Sequence, residues 1–452
     1  MFDFPASRPV ANRKRKLDET DIFAGPEVES ELEALKTASQ QEDSRGPPEI
    51  KRLIKRHVGN ADDVGRLNGA QKKAWKGRLQ REVRIVVDGQ DGLPKLSQKL
   101  KTDYNVQFVI EMKRLKYQAL ATAINILKTV PLKIYSLTLH GCDLTSWPGI
   151  SAFMAACVNM HTLIISGGST LVPSVSLVEA VKHCLHTLDL HDCDMINVTH
   201  LGQCKKLHTL NLSGNFSLTD VAGLGQCASL HTLDLSRCIE LIGVADLGQC
   251  ASLHTLDLSH CRTLRNVAAL GQCTSLHTLD LSRCKKLRNV DALGQSASLH
   301  TLDLSWCSAL ESVAGLEQCA SLHTLDLLMC YELISVAGLG QCASLHTLDL
   351  SWCFGLKSVA GLEQCTSLHT LNLHECKVTD VTALGQCPGL HTLDLSECTK
   401  LANVDGLRQC ASLRSLNLSN CTGLPYGTGQ VLKAHMAGPC MVVTAQYRPR
   451  AF

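Results

Sequence analysis

From Leu185 onward the apolar residues recur in one figure, L-x-x-L-x-L-x-x-C, as at Leu230, Leu233, Leu235 and Cys238. Leu233 and Leu235 alternate with Thr232, Asp234 and Ser236, a period of two that predicts a short strand with one apolar and one polar face. Leu241, Val244 and Leu247 follow at intervals of three, which suits a short helical or 3₁₀ return segment. The text LHTLDLSRCIELIGVADLGQCAS at Leu230 resumes as LHTLDLSHCRTLRNVAALGQCTS at Leu253, 23 residues on (253 − 230), and again at Leu276, Leu299, Leu322, Leu345 and Leu368. The step to Leu390 is 22 residues and the next, to Leu413, is 23. Upstream, Leu207 and Leu185 keep the figure, and Met160 and Ile134 begin longer, more divergent copies, about thirteen units in all. One unit cannot bury its own leucines. Stacked units can, with strands side by side at roughly 4.8 Å in a parallel sheet. The expected fold is an α/β solenoid of about thirteen repeats of ~23 residues over 134–424, whose outer, less regular copies serve as caps.

These residues resemble the leucine-rich-repeat family from about Ile134 to Leu424. The C-x-x-L-x-x-V-x-x-L layout is similar to the SDS22-like and cysteine-containing subtypes, and to repeats in trypanosome proteins encoded beside variant surface glycoprotein genes. Those relatives carry a RING-type zinc finger, whereas no cysteine precedes Cys142 here. The resemblance implies a curved sheet whose concave face binds a partner. It also implies that the turn cysteine stands at the family's Asn or Cys site, where a buried polar atom satisfies backbone groups.

The flanks read differently. Residues 1–50 are rich in charge, Pro and Ser without apolar periodicity, the composition of a disordered tail. Residues 51–104 are expected to form a basic, partly helical arm. In its first part Lys51, Arg52, Lys55, Arg56, Arg66, Lys72, Lys73, Lys76, Arg78, Arg81 and Arg84 face only Asp62, Asp63 and Glu82. Over 105–133, Phe108, Met112, Leu115, Leu120, Ile124 and Leu127 recur near helical spacing and predict a helix that caps the first repeat. Residues 425–452 are expected to cap the other end, with a helix over Gln430–Met436 and a strand over Met441–Thr444. Arg13, Lys14, Arg15 and Lys16 resemble a nuclear-import motif, and such a cluster is also an ordinary solvated charge run. With no apolar core in Met1–Arg13 and no run of eighteen apolar residues, a nuclear or cytoplasmic protein without a membrane span is expected.

The 44 basic and 42 acidic residues nearly cancel, so overall charge announces no partner. The 23 cysteines are odd in number, none precedes Cys142 and all but Cys440 fall within the repeats, unlike a secreted disulfide framework. They fall into two columns, one after the strand (Cys238, Cys261, Cys284) and one in the return segment (Cys227, Cys250, Cys273). Asn215 and Ser296 substitute in them without disturbing the register. Neighbouring layers bring such cysteines near disulfide distance, yet packing as buried thiols accounts for them more simply. Histidines form a column from His161 to His391, read as a solvent-facing ladder. With no C-x-x-C, and with His231 and Cys238 at opposite ends of a strand, a zinc site is not expected. Aspartates from Asp189 to Asp394 form a third column, a solvated acidic strip that offers no unique pair for acid–base work. No catalytic residue, cofactor or metal is expected, and the reading is non-enzymatic.

The informative positions are those where near-identical copies disagree. Before the turn cysteine stand Arg237, His260, Arg283, Trp306, Met329, Trp352, Glu375 and Glu397; after it stand Arg262, Lys285, Lys286, Tyr331, Phe354 and Lys377. One edge of the concave face thus runs from basic through aromatic to acidic. Trp and Tyr beside Arg are the substance of binding hot spots. The leading expectation is a scaffold that binds a protein through Arg237, Arg262, Arg283, Lys285, Lys286, Trp306, Tyr331, Trp352 and Phe354. The competing one is a nuclear or nucleolar, nucleic-acid-associated regulator using residues 51–84 with Arg262, Lys285, Lys286 and Arg288 on phosphates. Oligomeric state is not legible.

Overall fold

The computed structural model describes residues 81–100, 106–142, 150–167, 179–435 and 440–444. The chain divides into two units, Met1–Arg81 and Glu82–Phe452. The expected tail over 1–50, the motif Arg13–Lys16 and the basic arm before Arg81 lie outside the described residues.

The described part is one sixteen-stranded sheet whose spatial order is the chain order. Its strands are β1 (Arg81–Asp88), β2 (Val106–Lys113), β3 (Ile134–His140), β4 (Thr162–Ser166), β5 (Thr187–Asp189), β6 (Thr209–Asn211), β7 (Thr232–Asp234) and β8 (Thr255–Asp257). They continue as β9 (Thr278–Asp280), β10 (Thr301–Asp303), β11 (Thr324–Asp326), β12 (Thr347–Asp349), β13 (Thr370–Asn372), β14 (Thr392–Asp394), β15 (Ser415–Asn417) and β16 (Met441–Val443). Register is parallel and places like on like: Leu302 sits between Leu279 and Leu325, and Asp303 between Asp280 and Asp326. Each layer needs its neighbours, because Leu233, Leu235, Leu241, Val244 and Leu247 are all buried against the adjoining layers. The spacing of three does return the chain through 3₁₀ turns, such as Ala245–Gln249 and Ala268–Gln272.

The thirteen units read from Ile134 correspond to β3 through β15, and the sheet is longer than that at both ends. The helix expected over 105–133 is a correction. Phe108 and Met112 lie in strand β2, and only Tyr117–Leu127 is α-helical (α2). Residues four apart satisfy either period, and the deciding residue is Ile110, buried with Phe108 and Met112 on one face of a strand. In the region 51–104 the described residues do include a helix, α1 (Leu93–Leu100), but they begin with a strand that was not expected, β1, which buries Ile85 and Val87 and joins the sheet. The array therefore begins with layers that return through longer helices: α1, α2 and α3 (Ile150–Ala156). At the far end helix α4 spans Thr428–His435, and β16 pairs with β15.

Candidate protein-binding face

The open side of the sheet carries ladders that repeat layer after layer. Nearest the strand start, the imidazoles from His208 to His391 form an unbroken stack, with ring centroids 4.1–4.8 Å apart and planes within 5–11°. Nδ1 of His231, His254 and His300 lies 3.3 Å from the hydroxyl of the following threonine. The ladder read as solvent-facing is half-buried over most of its length. Burial, followed by the neighbouring imidazole charge, holds His231, His254 and His277 below the ordinary value of 6.5.

The aspartates form the middle ladder and are also half-buried rather than freely solvated. Each accepts the amide two residues on, as Asp234 does from Ser236 at 2.8 Å and Asp280 from Ser282 at 2.8 Å. Burial, reinforced by aspartates in nearby layers, raises Asp280 and Asp326 to about 6. Asn372 interrupts the ladder and donates to Asp349 Oδ2 at 3.0 Å.

The cysteines lie behind the face. Every one is free and all but Cys184 are buried. Their thiols are more than apolar filler. Cys238 Sγ donates to the Leu212 carbonyl at 3.3 Å, and Cys250 Sγ to that of Leu224 at 3.4 Å. Asn215 makes the fullest version, accepting from the amides of Cys193 and Met195 at 3.2 and 2.8 Å and donating to the carbonyls of Leu190 and Leu212 at 2.9 and 2.7 Å. Burial pushes Cys193, Cys238 and Cys307 up to about 12, far from thiolate chemistry.

The variable edge is built by an unusual backbone. The residue before each turn cysteine has positive φ: Arg237 62°, Arg283 63°, Trp306 62°, Met329 59°, Trp352 63°, Glu375 59° and Glu397 63°. Its amide donates to the next layer, Arg237 to the Ser259 carbonyl at 2.8 Å and Trp352 to the His374 carbonyl at 2.8 Å. Glycine adopts this conformation freely, and Gly214 (φ 70°) does so in the unit that begins at Leu207. A bulky residue there carries roughly 1–2 kcal/mol of backbone cost, so each such side chain persists against a local penalty.

Those side chains meet. The Arg283 guanidinium lies 4.5 Å from the Trp306 ring centroid. Tyr331 stacks on Phe354 at 5.4 Å, and Trp352 approaches Phe354 at 5.9 Å with a tilt of 59°. Lys377 Nζ lies over the other ring contact of the group, 5.3 Å from the Phe354 centroid. Trp306 and Trp352 are half-buried, while Phe354, Arg237, Arg262, Lys285 and Lys286 are exposed. Among the described residues, none of those four cations is ion-paired, whereas Arg288 reaches Glu311 at 3.5 Å. One member escaped sequence reasoning: His374 stands edge-on to Trp352 at 5.7 Å and is braced by Ser396 Oγ at 2.8 Å. Its signal was present, since His374 and Leu328 replace the serine of neighbouring copies.

Among the described residues no group of three or more His, Cys, Asp or Glu converges on a point that suits a metal ion. No helix among them is long and apolar enough to cross a membrane.

A family model for leucine-rich repeats (two copies) matches residues 366–409. Those residues are leucine-rich repeats, and the chain has the fold of a leucine-rich-repeat solenoid. Among solved structures it is similar to a leucine-rich-repeat protein of Leptospira interrogans, 20% identical, over 80% of this chain and 100% of that one, with a TM-score of 0.51. It is also similar to the functional domain of InlJ from Listeria monocytogenes, 17% identical, over 70% and 63% of the two chains, with a TM-score of 0.49. An internalin of the same organism aligns at 18% identity over 56% and 78%, with a TM-score of 0.42. These likenesses concern the fold alone. No curated protein sequence matches the chain.

Proposed function

We propose that this leucine-rich-repeat protein is a non-enzymatic adaptor whose sheet face binds a protein partner, centred on Trp306, Tyr331, Trp352 and Phe354. One observation carries the reading. On a face tiled by Thr and Asp ladders that only an occasional Asn interrupts, the copies diverge at a strained, positive-φ position, and in adjoining layers Trp352 at that position and Tyr331 and Phe354 just after the turn cysteine form a contiguous aromatic cluster. Aromatic side chains that are half-buried before any partner arrives lose little conformational freedom on binding, which suits hot-spot residues. Arg237, Arg262, Lys285 and Lys286 would form the basic rim of that contact, and Arg13–Lys16 would direct the protein to the nucleus.

Affinity capture from native cells, quantified by mass spectrometry, tests the reading. The Trp306→Ala/Trp352→Ala double variant is expected to lose the specific partner while its far-ultraviolet circular dichroism and melting stay as in the parent. Capture that is unchanged in the folded double variant would refute the assignment.

A further inference from the structure

Resting on the protein-binding reading, we propose that the edge from β7 to β14 binds a charge-polarised peptide segment along the stacking axis. Its acidic end seats over Arg237, Arg262, Arg283 and Lys285, its apolar middle on Tyr331, Trp352 and Phe354, and its basic end over Glu375 and Glu397. The argument is one of charge complementarity. The two columns beside the turn cysteine hold cations in layers β7 to β9, rings in β10 to β12 and carboxylates in β13 and β14. The Asp ladder beneath runs uniformly through β7 to β12 and supplies no polarity of its own.

Two cations are already committed to rings. Arg283 covers Trp306 at 4.5 Å, and Lys377, within the acidic zone, lies over Phe354 at 5.3 Å. The carboxylates are held in place rather than neutralised. Glu397 Oε1 accepts from Asn420 Nδ2 at 3.1 Å, and Glu375 lies 3.9 Å from His374 Nε2. The seven steps from β7 to β14 cover about 34 Å at ordinary strand spacing, the length of a helix of about twenty-two residues. Like charges set against the wrong end repel, so the gradient fixes the direction of the bound segment as well as its class.

Panning a phage-displayed library of random peptides about twenty-two residues long on the full chain provides the probe. Enriched peptides are expected to carry acidic and basic clusters at opposite ends of an apolar middle. For the best synthetic peptide, fluorescence anisotropy should show affinity falling about tenfold or more in Arg283→Glu/Lys285→Glu. A partner peptide whose acidic end is changed to lysine should restore it. The Trp306→Ala/Trp352→Ala variant should weaken the parent peptide comparably. Peptides that need the tryptophans but show no charge separation and no rescue would overturn the polarity and leave the protein-binding reading standing. Peptides indifferent to the tryptophans, or no enrichment at all, would overturn both. Tight binding of a single-stranded 20-mer oligonucleotide that weakens log-linearly with salt and is lost in Arg262→Glu/Lys285→Glu would overturn both in favour of a nucleic-acid surface.

Discussion

Asn215 and the cysteines at equivalent positions solve the same problem with different completeness. A turn that is buried in the stack must satisfy its own amides and carbonyls. Asn215 serves two amides and two carbonyls; a cysteine donates one sulfur–hydrogen bond to the layer behind it, as Cys261 does to Leu235 at 3.3 Å. The return column contains a natural hydroxyl variant, Ser296, which donates to the Leu270 carbonyl at 2.9 Å. Replacing Asn215 with alanine should therefore cost about 1–3 kcal/mol for each group left unpaired. Replacing Cys273 with serine should leave stability nearly unchanged, because Ser296 shows that the hydroxyl fits. Urea unfolding of the two variants beside the parent checks both, and equal midpoints for Asn215→Ala and the parent would contradict the account.

A ladder behaves differently from the residue it repeats. Burial already resists the charge on a half-buried imidazole, and in a stack each proton also enters beside another ring that resists it. Burial first, and then adjacent histidines, lower His231, His254, His277 and His300 from 6.5. Below pH 6.5 the unfolded chain then binds more protons than the folded one, so this contribution to stability is lost as pH falls through 6.5. The aspartate ladder acts in the opposite sense. Asp280 and Asp326, raised from 3.8 to about 6, bind protons preferentially in the folded state, so the penalty of burying their charge, and with it their repulsion, is relieved as pH falls from 6 toward 3.8. The two overlap below pH 6, so the histidine part is isolated by difference. Between pH 7.5 and 5.5 the urea midpoint of His277→Gln/His300→Gln should drop less, or rise more, than that of the parent, because two members of the stack are gone. An identical pH profile in parent and double variant would show that the stack makes no such contribution.

Across the molecule, stability is a sum of layers and of the contacts between them, so the ends matter out of proportion to their length. Layers β1 and β2, with α1 and α2, cover the edge of β3 and bury Phe108, Ile110, Met112, Leu120 and Ile124. Removing residues 1–133 should expose that strand edge and shift the chain to higher oligomers or aggregate relative to the parent, read by light scattering after gel filtration. A truncated chain with the same size distribution as the parent would show that the two layers are dispensable. These layers were hidden because their periods are ambiguous and no copy of the repeat overlies them. The candidate edge was half visible: Trp306, Trp352, Tyr331 and Phe354 stood out where copies differ, whereas the role of His374 depends on its approach to Trp352 across layers. By itself the sequence determined the repeat, its strand and 3₁₀ return, and the stacking in register, since a 23-residue unit has only one way to bury its leucines. Only the tertiary structure decided which columns touch. It turned a row of histidines into a ring stack, buried thiols into hydrogen-bond donors, and a list of unlike residues into one aromatic cluster, because side chains 23 positions apart in the chain become neighbours only when the layers are laid together.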